Sequence, residues 1–302
     1  DKINKVDFTQ VELTQYYPEE GWVEHDLEEI WLSVVSCVSN LIKNNSLKPE
    51  EVVSIGITNQ RETVAIWDKK TLKPLSRAIV WQDRRTSNYC QKMKEEGIEK
   101  VIKEKTGLLL DPYFSASKMK WLKDNLELKK NSNYFVGTID TFLISKLTEG
   151  KSFFTDITNA SRTSLFNIQE CKYDEDLLKI FDLEDIQLPE VKENADFFGE
   201  TKLFGGKIKI CGVAGDQQAA LVGQTCFDPG LVKSTYGTGC FLMLNTGKDL
   251  VKSENKLLTT IGYKLNNEIT YALEGSIFIA GSSIQFLRDK FKFFERQKSR
   301  KN

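Results

Sequence analysis

Ile208-Lys209-Ile210-Cys211-Gly212-Val213-Ala214-Gly215-Asp216-Gln217-Gln218-Ala219-Ala220 is an apolar run that closes on glycines and passes into a small-residue segment reaching Gly223. Glycines ending a strand, followed by a helix-like run, bring Asp216 to the end of a sheet. Open α/β sheets bind ligands at such strand ends. An aspartate that opens a helix also serves as its N-cap. This stretch alone leaves both roles open.

Strand-like and helix-like segments alternate on either side of it. Residues 5–14 read as an imperfect strand, and Asp26-Leu27-Glu28-Glu29 as an N-cap with an acidic residue three positions on. Leu27, Ile30, Trp31, Val34, Val38, Leu41 and Ile42 then recur at helical spacing. Val52–Ile57 is a strand with Val64–Trp67 as its expected hairpin partner, and Ala78–Trp81 is another. Ser87 to about residue 130 reads as lysine-rich helix broken at Thr106-Gly107 and Asp111-Pro112. Gly137–Asp140 opens a further helix, and 170–207 is a polar excursion. Beyond Gly230, strands near 231–244, 258–264 and 269–275 precede a helix expected from Ile277 to Phe293. The pattern is α/β.

The length of 302 residues suits about two domains. Lys+Arg 42 against Asp+Glu 43 leaves no basic surplus, which argues against nucleic acid as a partner. No apolar stretch reaches the roughly 20 residues of a membrane span. The six cysteines are scattered without a C-x-x-C pair, so reduced thiols and a cytoplasmic setting are expected. His25 is the single histidine, which weakens triad and zinc readings.

Several stretches carry candidate chemistry. Arg61-Glu62 follows the strand ending at Ile57; guanidinium and carboxylate there suit vicinal hydroxyls, or form a surface ion pair. Trp81 sits at another strand end, as a ligand wall or as core. Tyr113 follows the Asp111-Pro112 break, where its hydroxyl either reaches a pocket or packs. Thr235-Tyr236-Gly237-Thr238-Gly239 is a glycine-rich turn that fits phosphate oxygens or a plain β-turn, and it matches no P-loop. Ala280 to Gln285, with Gly281 inside it, offers small residues in a helical turn, open to a flat ligand or a neighbouring helix.

Taken in order with Gly21–Asp26, Thr106–Lys118 and Thr155–Asn167, these stretches resemble the FGGY family of carbohydrate kinases, in particular its glycerol-phosphorylating members. The resemblance implies an actin-like (ribonuclease H-like) ATPase fold. It divides the chain into 1–228, a substrate-binding domain, and 229–302, the start of a nucleotide-side domain. It implies ATP-dependent phosphorylation of glycerol to glycerol 3-phosphate. Arg61, Glu62, Tyr113, Asp216 and Gln217 would bind glycerol, with Trp81 on its carbon face and Asp216 as general base. Thr238, Gly237 and Gly239 would contact phosphate, and Gly281 and Gln285 would lie on the nucleotide side. ATP and Mg²⁺ are the implied cofactors; no metal ligand is assigned.

Departures from the family pattern shape further expectations. Asp1–Glu12 aligns with the family's third strand, so the opening phosphate loop has no counterpart here, nor does most of the adenine pocket. The 302 residues alone are therefore expected to turn over poorly, with unpaired strand edges in the first sheet. Gly205-Gly206-Lys207 lacks the arginine that accompanies sugar-bisphosphate control in some members. A kinase for another polyol or sugar and a non-catalytic actin-like scaffold are the alternatives. Homo-oligomerisation stays open.

Overall fold

The computed structural model describes residues 7–126, 133–237 and 239–294. A short strand, β1 (Glu24–His25), leads into α1 (Leu27–Asn44). The Asp26 carboxylate starts this helix by accepting from the backbone N–H of Glu28 and Glu29. β2 (Ser54–Asn59), β3 (Val64–Asp68) and β4 (Ala78–Ile79) follow, then α2 (Ser87–Glu95), α3 (Glu99–Thr106) and α4 (Ser115–Asn125). The chain returns through β5 (Tyr134–Thr138), α5 (Ile139–Leu147), β6 (Phe154–Asp156), α6 (Ile157–Ala160), β7 (Phe166–Asn167) and β8 (Lys172–Tyr173). Next come α7 (Glu175–Ile180), β9 (Glu190–Lys192), β10 (Gly199–Thr201), β11 (Ile208–Gly215) and α8 (Asp216–Gly223). β12 (Val232–Tyr236), β13 (Cys240–Gly247), β14 (Leu258–Leu265) and β15 (Glu268–Ile277) precede α9 (Gly281–Asp289).

The architecture follows from β3, which is apolar on both faces. Val64 and Ile66 enter a core with Met93, Ile102 and Met119 from α2, α3 and α4. Ala65 and Trp67 face the other way, onto Leu27 and Ile30 of α1 and Phe142 and Ile144 of α5. Alternation along one strand thus builds a sheet covered by helices on both sides. Trp67 is fully buried, and its indole N–H donates to Ser145 Oγ at 3.2 Å. The sheet order is β1-β4-β3-β5. A second sheet, β10-β11-β2, pairs β11 with β2 in parallel, and a third has the order β12-β13-β15-β14.

Several sequence expectations need correction. Among the described residues, 7–15 hold no strand, and only Tyr16 bridges to Glu24. Val64–Trp67 is not the hairpin partner of the preceding strand: β3 pairs antiparallel with β4 and β5, while β2 pairs with β11. A continuous apolar run such as Val64–Trp67 belongs in the middle of a covered sheet, and proximity in sequence misassigned it. The last helix begins at Gly281, because β15 runs on through Ile277. The breaks at Gly107 and Asp111-Pro112 and the helix after Thr138 occur as expected. Among the described residues no helix is long and apolar enough to cross a membrane.

Candidate functional site

Parallel pairing of β2 and β11 sets Asn59 beside Gly215, so the residues following each strand emerge together. Asp216 is the first residue of α8, and its Oδ1 lies 3.3 Å from Arg61 Nε. Gly215 permits this crossing. A Cβ there would meet Arg61 Cγ at 2.6 Å and Cδ at 2.7 Å. In the turn past the other strand, Glu62 adopts φ 61°, a left-handed conformation costly for a non-glycine residue. Thr63 N–H donates to Arg61 C=O at 2.7 Å across that tight turn. It turns Arg61 and Glu62 inward, and both are buried.

Arg61 meets two buried carboxylates and a second buried guanidinium. Its Nη1 donates to Glu274 Oε2 at 2.6 Å and to Gln218 Oε1 at 3.2 Å. Its Nη2 donates to Glu274 Oε1 at 3.0 Å and to Tyr113 OH at 3.3 Å. Arg162 bridges the same group, with Nε to Glu62 Oε1 at 2.7 Å and Nη2 to Glu274 Oε1 at 2.9 Å. Arg162 Nη1 has no hydrogen-bond partner; the guanidinium carbon lies 5.2 Å from the Phe114 ring centroid. Burial disfavours the Glu274 charge, yet Arg162 and Arg61 override it and hold the carboxyl at about 2. Burial prevails at Glu62, whose pKa is raised despite the flanking guanidiniums. For Arg61 the neighbouring Glu274, Tyr113 and Glu62 outweigh burial and raise the pKa.

Every N–H of Arg61 is turned to a protein group. Four of its five N–H groups face Glu274, Gln218 and Tyr113, and the fifth, on Nε, faces Asp216. Asp216 Oδ1 also accepts from the Gln217 backbone N–H at 2.9 Å, and Oδ2 from Gln217 Nε2 at 2.9 Å. Burial pushes the Tyr113 phenol well above its usual range, so it stays protonated. With a lone pair of that oxygen engaged by Arg61, the phenolic proton remains to donate elsewhere. Lys118 shapes this loop from beneath, donating to the carbonyls of Pro112, Tyr113 and Phe114 at 2.8, 2.6 and 2.9 Å.

Gln60, Arg61, Glu62, Trp81, Tyr113, Asp216, Gln217 and Phe241 enclose a cavity of about 40 Å³. Trp81 forms its apolar wall, edge-on to Tyr113 at 5.7 Å and to Phe241 at 5.9 Å between ring centroids. The Asp216 side chain is 44% exposed where Arg61 is 1% exposed, so the aspartate is the carboxylate that solvent and solutes reach. A larger cavity of about 450 Å³ beside β2, β11 and α8 is lined chiefly by apolar groups such as Ile57, Val213 and Val222. The charged groups converge on the smaller one.

All six polyol-side residues singled out from sequence therefore border one hollow. Arg84 and Arg85 do not: Arg84 pairs with Asp111, and Arg85 with Asp83 and Glu24. Among the residues expected to face the nucleotide, Gly281 N–H donates to Gly237 C=O at 3.0 Å, and a Cβ on Gly281 would meet that oxygen at 2.3 Å. Gly239 closes the same turn by accepting from Gly237 N–H at 2.8 Å. Thr238 lies outside the described residues. Gln285 is exposed on α9 and is not among the residues that line the small cavity. Sequence reasoning missed Arg162, Glu274, Gln218, Lys233 and Phe241. A faint signal existed for Glu274, which shares a strand face with buried Ala272. Among the described residues, no group of three or more His, Cys, Asp or Glu could hold a metal ion.

Comparison with known proteins matches residues 2–223 to the FGGY family of carbohydrate kinases, N-terminal domain. A glycerol kinase of Sinorhizobium fredii is 55% identical over 289 residues, covering 94% of this chain and 58% of the relative. One from a Marinomonas species is 50% identical over 300 residues, covering 97% and 61%. The chain thus spans about three-fifths of the length of the curated relatives it matches. Plasmodium falciparum glycerol kinase, solved with ADP, superposes with a TM-score of 0.86 at 40% identity, over 93% of this chain and 58% of that one. A xylulose kinase from Lactobacillus acidophilus has a TM-score of 0.80 at 21% identity over 92% and 56%, a likeness of fold alone.

Proposed function

This chain belongs to the FGGY family of carbohydrate kinases, with their actin-like ATPase fold, and on that premise we propose that it carries the polyol site of an enzyme that phosphorylates glycerol with ATP. The observation behind this reading is the exposed carboxylate of Asp216 at the mouth of a small cavity rich in hydrogen-bonding groups. Asp216 would accept the proton of the glycerol hydroxyl as that oxygen bonds to the γ-phosphorus of ATP, the β–γ bridging P–O bond breaks and ADP leaves. A positioned base of this kind contributes about 10²–10⁴ in rate. Tyr113 donates to a second hydroxyl, Glu62 accepts from one, and Trp81 with Phe241 packs on the carbon chain. Arg61 acts by holding Asp216, Tyr113 and Glu274 in register, since its five N–H groups are all turned to protein partners.

The turn of Gly237 and Gly239, backed by Gly281, is the part of this chain that would face the phosphates, with Thr238 and Gln285 assigned to the same side. The close approach that Gly281 alone permits supports this. Mg²⁺ usually keeps several waters and is held through substrate phosphates with one or two carboxylates, so a dedicated protein cluster is not required. The division into a substrate part, 1–228, and a nucleotide part, 229–302, belongs to this reading. So does a cytoplasmic setting, supported by six free cysteines. Calorimetric titration tests the proposal. Glycerol should bind saturably to the wild-type chain, and Asp216→Asn should weaken it about tenfold or more, as for hydrogen bonds to charged groups. No saturable heat with glycerol would overturn it.

A further inference from the structure

Lys233 occupies an inward position on β12, opposite Met243 of β13 and near an apolar cluster of Leu221, Met243 and Ala272. A hydrophobic residue would fit that face by pattern. Instead a lysine only 1% exposed is placed there, and burying its ammonium is costly unless that group is fully hydrogen-bonded. It donates to Gln217 Oε1 in a very short contact, to Thr235 Oγ1 at 3.2 Å and to Phe241 C=O at 3.4 Å. All three ammonium protons therefore have acceptors, and two of those acceptors belong to residues lining the small cavity.

We infer that Lys233 is a positioning residue for the polyol site, fixing which way the Gln217 amide points. An ammonium has no acceptor, so only the amide oxygen can face it. A carboxylate has no donor, so only the amide nitrogen can face Asp216, as it does at 2.9 Å. The two constraints agree, and the second proton on Nε2 is left for the cavity. A substrate hydroxyl there would accept from Gln217 while donating its proton to Asp216. A flipped amide would instead set one oxygen against another and remove that donor.

The assignment rests on the polyol reading for its purpose, but the amide itself reports it independently. In a ¹⁵N–¹H correlation spectrum, the Gln217 side-chain pair is identified by its loss in Gln217→Ala. In the wild type it should exchange slowly with solvent. In Lys233→Met, which keeps the stem length, exchange should accelerate about tenfold or more. Lys233→Arg, which keeps a donor, should restore protection. Glycerol affinity should fall about tenfold in Lys233→Met, and the double variant with Gln217→Ala should bind no worse than Gln217→Ala alone. An unaltered Gln217 pair in folded Lys233→Met, or penalties that add in full, would overturn the inference. A wild-type chain that ignores glycerol would remove the polyol reading, while the amide spectrum would still decide what Lys233 does.

Discussion

Replacing Glu274 by glutamine tests the buried charge network that holds the site together. Arg61, Arg162, Glu62 and Glu274 are each at most 2% exposed and sum to no net charge. Glu274→Gln keeps the shape but leaves two guanidiniums against one carboxylate. A carboxyl held at about 2, against 4.5 for an unperturbed glutamate, is favoured in its ionised form by about 3 kcal/mol. That agrees with the roughly 3–5 kcal/mol for removing one partner of a buried ion pair. At about 2.1 cal/mol/K per residue, the unfolding entropy of 302 residues is about 0.6 kcal/mol/K, so the melting temperature should fall by about 5 °C. The effect carries a pH signature. Because the folded pKa lies below the unfolded one, this contribution is complete above 4.5 and is lost as pH falls towards about 2. Wild type and variant should therefore converge in acid. Urea unfolding followed by circular dichroism, at neutral pH and stepwise down to about pH 2.5, measures both. A deficit under about 1 kcal/mol at neutral pH, or one that does not shrink below about pH 4.5, would refute the reasoning.

Gly215→Ala should displace the Arg61 stem and separate it from Asp216, since the added carbon would stand 2.6 Å from Arg61 Cγ. Glycerol titration should show binding lost, with a stability cost of about 1–3 kcal/mol by denaturant melts, as for other overpacked sites. Lys118, lowered to about 8 by burial, predicts an alkaline trend. The unfolded chain retains that proton up to 10.5, so unfolding free energy should rise between about pH 8 and 10.5, by at most about 1.4 kcal/mol per pH unit. Lys118→Met should remove that part of the slope, and parallel pH profiles for the two proteins would contradict it.

Much of the site was legible because its residues follow strands. Asp216 after Gly215, Arg61-Glu62 after β2 and Trp81 after β4 each pair an apolar run with an abrupt polar or aromatic residue. The adjacency of β2 and β11 was not legible, since about 150 residues separate them and nothing local encodes the pairing. Nearness in sequence suggested the wrong partner for β3 instead. Arg162, Glu274 and Lys233 stayed hidden for a different reason. A charged residue read alone is ordinarily solvated, and only the packed structure reveals that Arg162 and Glu274 pair with each other while Lys233 is satisfied by uncharged acceptors.

Polyol phosphorylation by this site requires one small hollow to receive a triol against Asp216. A crystal of the chain soaked in glycerol examines this directly. The prediction is one glycerol molecule bounded by residues 61, 62, 81, 113, 216, 217 and 241, with a hydroxyl within about 3 Å of an Asp216 carboxylate oxygen. Glycerol bound elsewhere, or a cavity that stays filled by water at saturating glycerol, would contradict it.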